Sequence, residues 1–242
     1  DLKGWVEYVE NLSLKYGIHF TRADVVGENG IKGNKAIQYK TAKKRFEKFN
    51  YEGIDELWFG ATPSWDYDDN FESIFIADTS IYEETSTMVL VLDDDIVKFD
   101  EEIFQKIVID LTKFLSPKYG YIFQRPFDKG PSFYAFGTGY NRGFNQNEKE
   151  MIGEWARVYE FSYGKRYKTG SLRDIYPGNI ICLEHLSREI SQGVTLKQWI
   201  ESDSTRGRIE QIGEDLYLWW INKENIENIR ESLRPRGIIL CI

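Results

Sequence analysis

Residues 85–115 read TSTMVLVLDDDIVKFDEEIFQKIVIDLTKFL, and the change of hydrophobic period inside this stretch decides the fold class. Thr85 to Leu92 is a short apolar run rich in β-branched residues and bounded by turn formers, the pattern of a strand. Asp93-Asp94-Asp95 ends it, because three carboxylates in a row cannot follow the run into an apolar layer. From Asp100 the apolar residues recur at steps of three and four, at Ile103, Ile107, Leu111 and Phe114, which is one face of a helix. Asp100 fits as the N-cap, Glu101 and Glu102 suit the positive end of the helix, and Ser116-Pro117 stops it. Strand and helix in close succession exclude an all-α chain and predict an α+β protein.

Towards the N terminus, Trp5, Val9 and Leu12 share one stripe of a first helix, and Ile18 to Val26 reads as a strand. A loop with Gly27, Gly30 and Gly33 leads to a basic amphipathic helix. Asn34 can cap it, and Tyr39, Ala42, Phe46 and Phe49 form its apolar face. Glu56–Thr62 and Phe71–Ala77 are further strands before Thr85–Leu92, and Tyr119–Gln124 follows the helix at 100–115. Strand, helix, strands, helix, strand predicts a ferredoxin-like, split βαβ first part that ends near Arg125.

The second part, residues 126–242, is read as a helix-rich α+β subdomain. Phe133–Thr138 is expected as a strand after Gly130-Pro131. Met151, Ile152, Trp155, Val158 and Tyr159 mark a helix, as do Leu183, Leu186 and Ile190. Asp174–Asn179 is irregular around Pro177-Gly178. Thr195-Leu196-Lys197-Gln198 fits a capping box. Arg208–Ile212 and Leu216–Ile221 form a hairpin across Gly213-Glu214-Asp215. A helix with Ile226, Ile229 and Leu233 stops at Pro235, and Gly237–Ile242 reads as a last strand. Adjacent aromatics such as Trp58, Trp65 and the pair Trp219-Trp220 are expected to leave some rings at the surface, because strand residues alternate between faces.

Charge is distributed unevenly. The chain of 242 residues has 31 Lys plus Arg and 39 Asp plus Glu, a net −8. Asp66 to Glu102 holds 13 acidic residues and one basic residue, a net −12, so the remainder carries 30 basic and 26 acidic residues, a net +4. Lys32 to Lys48 holds seven basic and one acidic, a net +6. An acidic total opposes general nucleic-acid binding, and an acidic stretch of this density favours encounter with a basic protein. With 15% aromatic residues the chain buries enough apolar surface to be globular. Two cysteines, Cys182 and Cys241, exclude a disulfide scaffold and point to a cytoplasmic protein, and no apolar run reaches a membrane-spanning length.

Four features invite chemistry. Asp93, Asp94 and Asp95 follow an apolar strand, where hard oxygen ligands for magnesium can converge, with Asp66, Asp68 and Asp69 as further ligands. Against this, adjacent aspartates on an extended chain point alternately, so no metal or cofactor is expected. The glycines at 27, 30 and 33 lie before a helix, where amides can cradle phosphate, but neither they nor Gly137, Gly139 and Gly143 match a dinucleotide or P-loop fingerprint. Cys182 and His185 sit three residues apart, the spacing of a thiolate–imidazole pair on a helix. His19 stands alone in a strand.

The segments Tyr119-Gly120-Tyr121-Ile122-Phe123, Gly130-Pro131-Ser132-Phe133-Tyr134-Ala135, Leu172-Arg173-Asp174-Ile175-Tyr176-Pro177-Gly178-Asn179 and Leu196-Lys197-Gln198-Trp199-Ile200 resemble bacterial immunity proteins of polymorphic toxin systems, in particular the immunity protein 52 type. The resemblance runs from Tyr119 to the C terminus. It implies a cytoplasmic α+β protein that binds and neutralises a cognate toxin and carries no catalytic motif. Joined to the charge count, it predicts a non-enzymatic inhibitor whose partner-binding residues are Trp65, Asp66, Tyr67, Asp68, Asp69, Glu83, Glu84, Asp93, Asp94 and Asp95. The rivals are a metal-dependent enzyme centred on Asp93–Asp95 and a phage or mobile-element inhibitor that mimics nucleic-acid charge.

Overall fold

The structure is a computed structural model that describes residues 1–31, 36–61, 75–81, 86–126, 130–136, 144–154 and 170–240. It is mixed α and β with antiparallel sheets, and it divides into two compact units, Asp1–Asp100 and Glu101–Ile242. The expected boundary near Arg125 differs from this division by one helix and one strand, which group with the second unit.

The first unit opens with α1 (Leu2–Lys15), capped by the Asp1 side chain, which accepts from Gly4 N at 3.1 Å. Its apolar stripe, Trp5, Val6, Val9 and Leu12, is buried. A five-stranded sheet follows, made of β1 (Arg22–Val26), β2 (Ile37–Gln38), β3 (Glu56–Ala61), β4 (Phe75–Ile81) and β5 (Ser86–Leu92), in the order β2-β1-β3-β4-β5. Alternation buries Ala23, Val25, Leu57 and Phe59 on one face. The helix α2 (Tyr39–Lys48) covers that face through Tyr39, Ala42 and Phe46, with the Tyr39 and Phe59 rings 5.4 Å apart and Phe20 edge-on to Phe59 at 4.7 Å. Glu10 ties the two helices together. Its carboxylate accepts from the Tyr39 hydroxyl at 2.8 Å and from Lys43 Nζ at 2.5 Å.

This sheet departs from the expected ferredoxin-like form. Every pair in it is antiparallel, whereas a split βαβ requires a parallel neighbour across a helical crossover. The strand that should complete it, β6 (Gly120–Ile122), pairs instead with β7 (Gly178–Cys182) in the second unit. The helix over 37–49 begins at Tyr39 with Gln38 at the cap position, and Asn34 lies outside the described residues.

The second unit contains α3 (Glu101–Leu111), as the 3.6-residue period predicts, and a four-stranded sheet in the order β10-β11-β7-β6, with β10 Arg208–Gln211 and β11 Leu216–Trp220. The expected hairpin is present in the register Arg208↔Trp220 to Gln211↔Tyr217. Its core gathers Leu172, Ile181, Leu186, Trp199, Trp219 and Leu233. Both Trp219 and Trp220 are buried, so both faces of β11 are covered and this adjacent pair leaves no ring at the surface. Trp219 Nε1 donates to the Arg206 carbonyl at 2.7 Å, and Gly178, opposite Trp220 in the ladder, leaves the room its ring needs.

Three local readings are corrected. Pro131–Phe136 is a short helix, α4, rather than a strand. Pro131 needs no amide partner at a first helical position, and packing of Phe133 on Phe144 at 5.0 Å outweighs the strand preference of the aromatics. The helix read through Leu183, Leu186 and Ile190 is only Leu183–Ser187 (α6), preceded by β7 and followed by β8 (Glu189–Ser191), which holds Ile190. The final strand is a single parallel bridge between Leu172 and Ile239. Its partner segment turns aside at once into the surroundings of Arg173. The helix at Met151–Ile152 is α5 (Gln146–Glu154), and Trp155, Val158 and Tyr159 lie outside the described residues.

The remaining elements follow the reading closely. β9 (Val194–Thr195) leads into α7 (Leu196–Glu201), where the Thr195 hydroxyl accepts from Gln198 N at 3.3 Å and Gln198 Oε1 accepts from Thr195 N at 2.9 Å, the reciprocal capping box. α8 (Ile226–Leu233) ends before Pro235. Gly207 joins α7 to the hairpin with φ +92°, where a side chain would set its first carbon 2.0 Å from the Trp220 carbonyl oxygen. Gly193 also has positive φ, +71°, but faces open space. Gly207→Ala is therefore expected to cost more than about 2 kcal/mol and Gly193→Ala about 1 kcal/mol, the backbone strain alone. Urea unfolding followed by tryptophan fluorescence checks the contrast, which equal midpoints would contradict.

Candidate functional site

The aspartates that follow β5 form a turn. The Asp93 carboxylate accepts from Asp95 N at 2.8 Å, and its carbonyl accepts from Val97 N at 2.8 Å. The Asp94 carboxylate accepts from Phe99 N at 2.8 Å. Val97 is buried and pins the turn from below. Two of the three carboxylates thus act as local caps, the role to which short acidic side chains are suited. Asp95 stands out from the turn with its side chain 97% exposed, 3.5 Å from Lys98 Nζ. The three do not converge on a point, and among the described residues no group of three or more His, Cys, Asp or Glu could hold a metal ion. Trp65, Asp66, Tyr67, Asp68, Asp69, Glu83 and Glu84 lie outside the described residues.

The glycine loop is closed rather than cupped. Asn29 N donates to the Gly53 carbonyl at 2.9 Å, Gly30 N to Gly27 at 3.0 Å and Ile31 N to Val25 at 2.7 Å. The amides of Asn29, Gly30 and Ile31 are thus engaged by the chain itself. Gly27 has φ +133° and sits so close to the 53–55 backbone that a side chain would lie 2.5 Å from the Gly53 carbonyl oxygen. Gly33 and the glycines at 137, 139 and 143 lie outside the described residues, and His19 is exposed.

Cys182 and His185 do meet. Cys182 caps α6, with Sγ 3.1 Å from His185 Nδ1, and Cys182 N donates to the same nitrogen at 3.3 Å, so Nδ1 is the acceptor and the proton resides on Nε2. The imidazole is buried and stacked on Tyr119 at 5.4 Å. Burial, followed by hydrogen bonding to the Glu184 carboxylate, pushes the thiol up to about 11. Burial pushes His185 down to about 4. A nucleophilic thiolate beside imidazolium needs both shifts in the opposite sense. The pair is neutral and serves as a helix cap inside the core.

Sequence reasoning missed Arg173, a fully buried cation. Its guanidinium donates to the Tyr121 hydroxyl and to the Tyr134 and Ala135 carbonyls, the last at 3.2 Å, and lies 4.5 Å over the Tyr134 ring. Its backbone N–H donates to the Tyr119 hydroxyl at 2.7 Å. Tyr121 stacks on Tyr176 at 4.5 Å, and the Tyr134 and Tyr176 hydroxyls are 3.1 Å apart. Carbonyls and π faces thus solvate the charge. Burial raises the Tyr176 hydroxyl well above its ordinary value, although Arg173 opposes the shift, and it remains a proton donor. The cluster joins α4, β6 and the 171–176 segment and is enclosed by them. No spacing announces it, because its members are scattered over 119–176.

Comparison with protein-family models, with characterised proteins and with solved structures finds no match. Among the described residues no helix is long and apolar enough to cross a membrane.

The buried neutral histidine carries a pH signature. In the unfolded chain an imidazole titrates near 6.5, whereas His185 in the fold titrates near 4. Between these values the unfolded state binds more protons, so stability falls as pH drops from about 6.5 towards 4 and changes no further through this group below that. The contribution is of order 3 kcal/mol at full extent. His185→Gln is expected to flatten this part of the pH dependence of the urea midpoint, and an unaltered slope would contradict the assignment.

Proposed function

We propose that the chain is a non-enzymatic inhibitor that binds and neutralises a basic protein, a cognate toxin in a bacterial conflict system, through the acidic surface of its first unit. The observation that carries this reading is the segregation of charge: 13 carboxylates against one lysine between Asp66 and Glu102, in a chain that is otherwise mildly positive. At the described end of that stretch Asp94 and Asp95 are exposed. Such a surface raises the encounter rate with a basic partner and disfavours acidic ones. Trp65 and Tyr67, embedded among Asp66, Asp68 and Asp69, have the chemistry of interface anchors. The thiol–imidazole pair among the described residues is held neutral, and Asp93 and Asp94 cap their own turn, which favours binding over catalysis. The resemblance of the second half to immunity proteins agrees with this, and a cytoplasmic site of action follows from it as part of the same proposal.

The direct test is co-expression with the product of the gene immediately upstream, which is expected to be toxic alone and harmless together with this chain. Absence of toxicity, or of rescue, counts against the proposal. With that protein in hand, neutralising Asp68, Asp69, Glu83 and Glu84 together is expected to slow association about tenfold at low salt and to flatten its salt dependence. Trp65→Ala is expected to speed dissociation, with a loss of about 2 kcal/mol or more. Stopped-flow rates at two ionic strengths check both, and unchanged rates would move the binding surface elsewhere.

A further inference from the structure

The acidic surface makes no use of α2, which carries five basic residues and one acidic in ten. Of the five, Lys43 meets carboxylates, Glu10 of α1 at 2.5 Å and Glu47 at 3.8 Å. Among the described residues Lys40, Lys44, Arg45 and Lys48 make no ion pair. Arg45 is engaged otherwise, its Nε donating to the Asn29 carbonyl at 2.8 Å. Tyr39, Ala42 and Phe46 turn the helix inward, so Lys40, Lys44 and Lys48, four residues apart, run down the opposite, exposed side at about 6 Å per step. This arrangement works against the helix. Like charges at that spacing weaken it, and Lys40 stands in the first turn, where the positive end of the backbone favours carboxylates. Glutamate at position 40 or 44 would serve solubility equally and the helix better. An anionic ligand laid along the stripe turns each repulsion into attraction.

We propose that the exposed face of α2 is a docking site for an extended acidic segment of a protein, with aspartate or glutamate at alternate positions. Alternate side chains of an extended segment lie on one side about 6.6 Å apart, close to the lysine step. Three such carboxylates span about 13 Å, against about 12 Å from Lys40 to Lys48. The site is separate from the acidic surface and stands without it. Other polyanions fit less well. A nucleic-acid strand carries its charge on past the stripe, where the exposed Glu52 and Asp55 follow within seven residues of Lys48. Phe49, at the end of the stripe, is overlain by Arg45 and Lys48 rather than presented to a base. A lipid surface takes up apolar side chains, whereas the exposed residues of α2 are Lys40, Thr41, Lys44, Arg45, Glu47 and Lys48. A second copy offers, among the described residues, the run Asp93–Asp95, of which the first two are bonded within their own turn. That leaves one carboxylate where the stripe matches three.

The probe is a capped peptide in which three glutamates alternate with threonine, titrated into the intact chain and followed by amide shifts, which register millimolar binding. Controls are a peptide of the same composition with its glutamates adjacent, a thymidine oligonucleotide with three phosphates, and vesicles of phosphatidylserine and phosphatidylcholine. The alternating peptide is expected to bind saturably, with shifts centred on Lys40–Lys48, and about threefold or more tighter than the adjacent-glutamate peptide. An exposed ion pair is worth about twofold to fivefold in affinity, so Lys40→Gln, Lys44→Gln and Lys48→Gln together are expected to weaken binding about tenfold or more. The same charge change at exposed lysines outside α2, Lys3→Gln, Lys98→Gln and Lys197→Gln, is expected to alter it less than about twofold. Thermal melts of both triple variants are expected to match the parent chain, which shows that the loss is not one of folding. Absence of shifts, shifts centred elsewhere, equal losses in the two triple variants or equal affinity for the two peptides would overturn the proposal. Tighter binding of the oligonucleotide at the same residues would assign the helix to nucleic acid instead. Vesicle co-sedimentation lost in the α2 triple variant would assign it to a lipid surface, and salt-sensitive dimerisation lost in that variant to a second copy. Toxin rescue is read separately, and its failure leaves this site standing.

Discussion

Carboxylates cannot be drawn together out of water, and this constraint shapes the first unit. Eleven of them fall within the 35 residues from Asp66 to Asp100, so that stretch reaches the sheet mainly through the apolar runs between its charges. Those runs make up β5 and most of β4, in which Asp78 is the single carboxylate, and the two strands add to β3 in sequence order as an antiparallel meander. The aromatic contacts of Phe20, Tyr39 and Phe59 hold the other end of the sheet under α2. At the far margin of the sheet β5 is an apolar strand followed directly by Asp93-Asp94-Asp95.

The second unit is built around enclosed polar groups. Arg173 is satisfied by carbonyls and tyrosines, Asn179 exchanges hydrogen bonds with Tyr176 across the Pro177-Gly178 turn, and Cys182 with His185 closes the start of α6. Buried polar networks of this sort tie distant segments together and penalise alternative packings when fully satisfied. Most of their polar atoms are engaged with one another, His185 Nε2 being a buried exception. Burial pushes the Cys182 thiol up and His185 down, so that pair stands neutral, whereas Arg173 keeps its charge.

Much of this fold was legible because the signals are local. The 3.6-residue stripe of Ile103, Ile107 and Leu111, the capping box at Thr195 and Gln198 and the turn at Gly213-Glu214-Asp215 each depend on neighbours in sequence. What escaped reading depended on distant partners. Phe133 and Tyr134 carry strand preference, but packing against Phe144 and the carbonyl demand of Arg173 make them helical. Ile190 follows the helical period from Leu186 yet joins a two-stranded ribbon. The pairing of β6 with β7 rather than with β5 removed the ferredoxin-like arrangement, and no residue within 85–125 encodes that choice. At the candidate site, the spacing of Cys182 and His185 foretold their contact, while their neutrality comes from burial that only the fold supplies. The acidic count was plain in the sequence, but the register of β4 on β5, which carries part of that stretch, was not.

The central claim is that the partner meets the acidic margin of the first sheet. Hydrogen–deuterium exchange of the chain, free and bound to the protein encoded immediately upstream, tests this most directly. The account predicts that binding slows exchange at Ser86–Asp100, with the strongest effect in β5, and leaves the amides of Leu183–Ser187 and Arg208–Trp220 unchanged. Protection confined to the second unit, with β5 exchanging at its free rate, would contradict it.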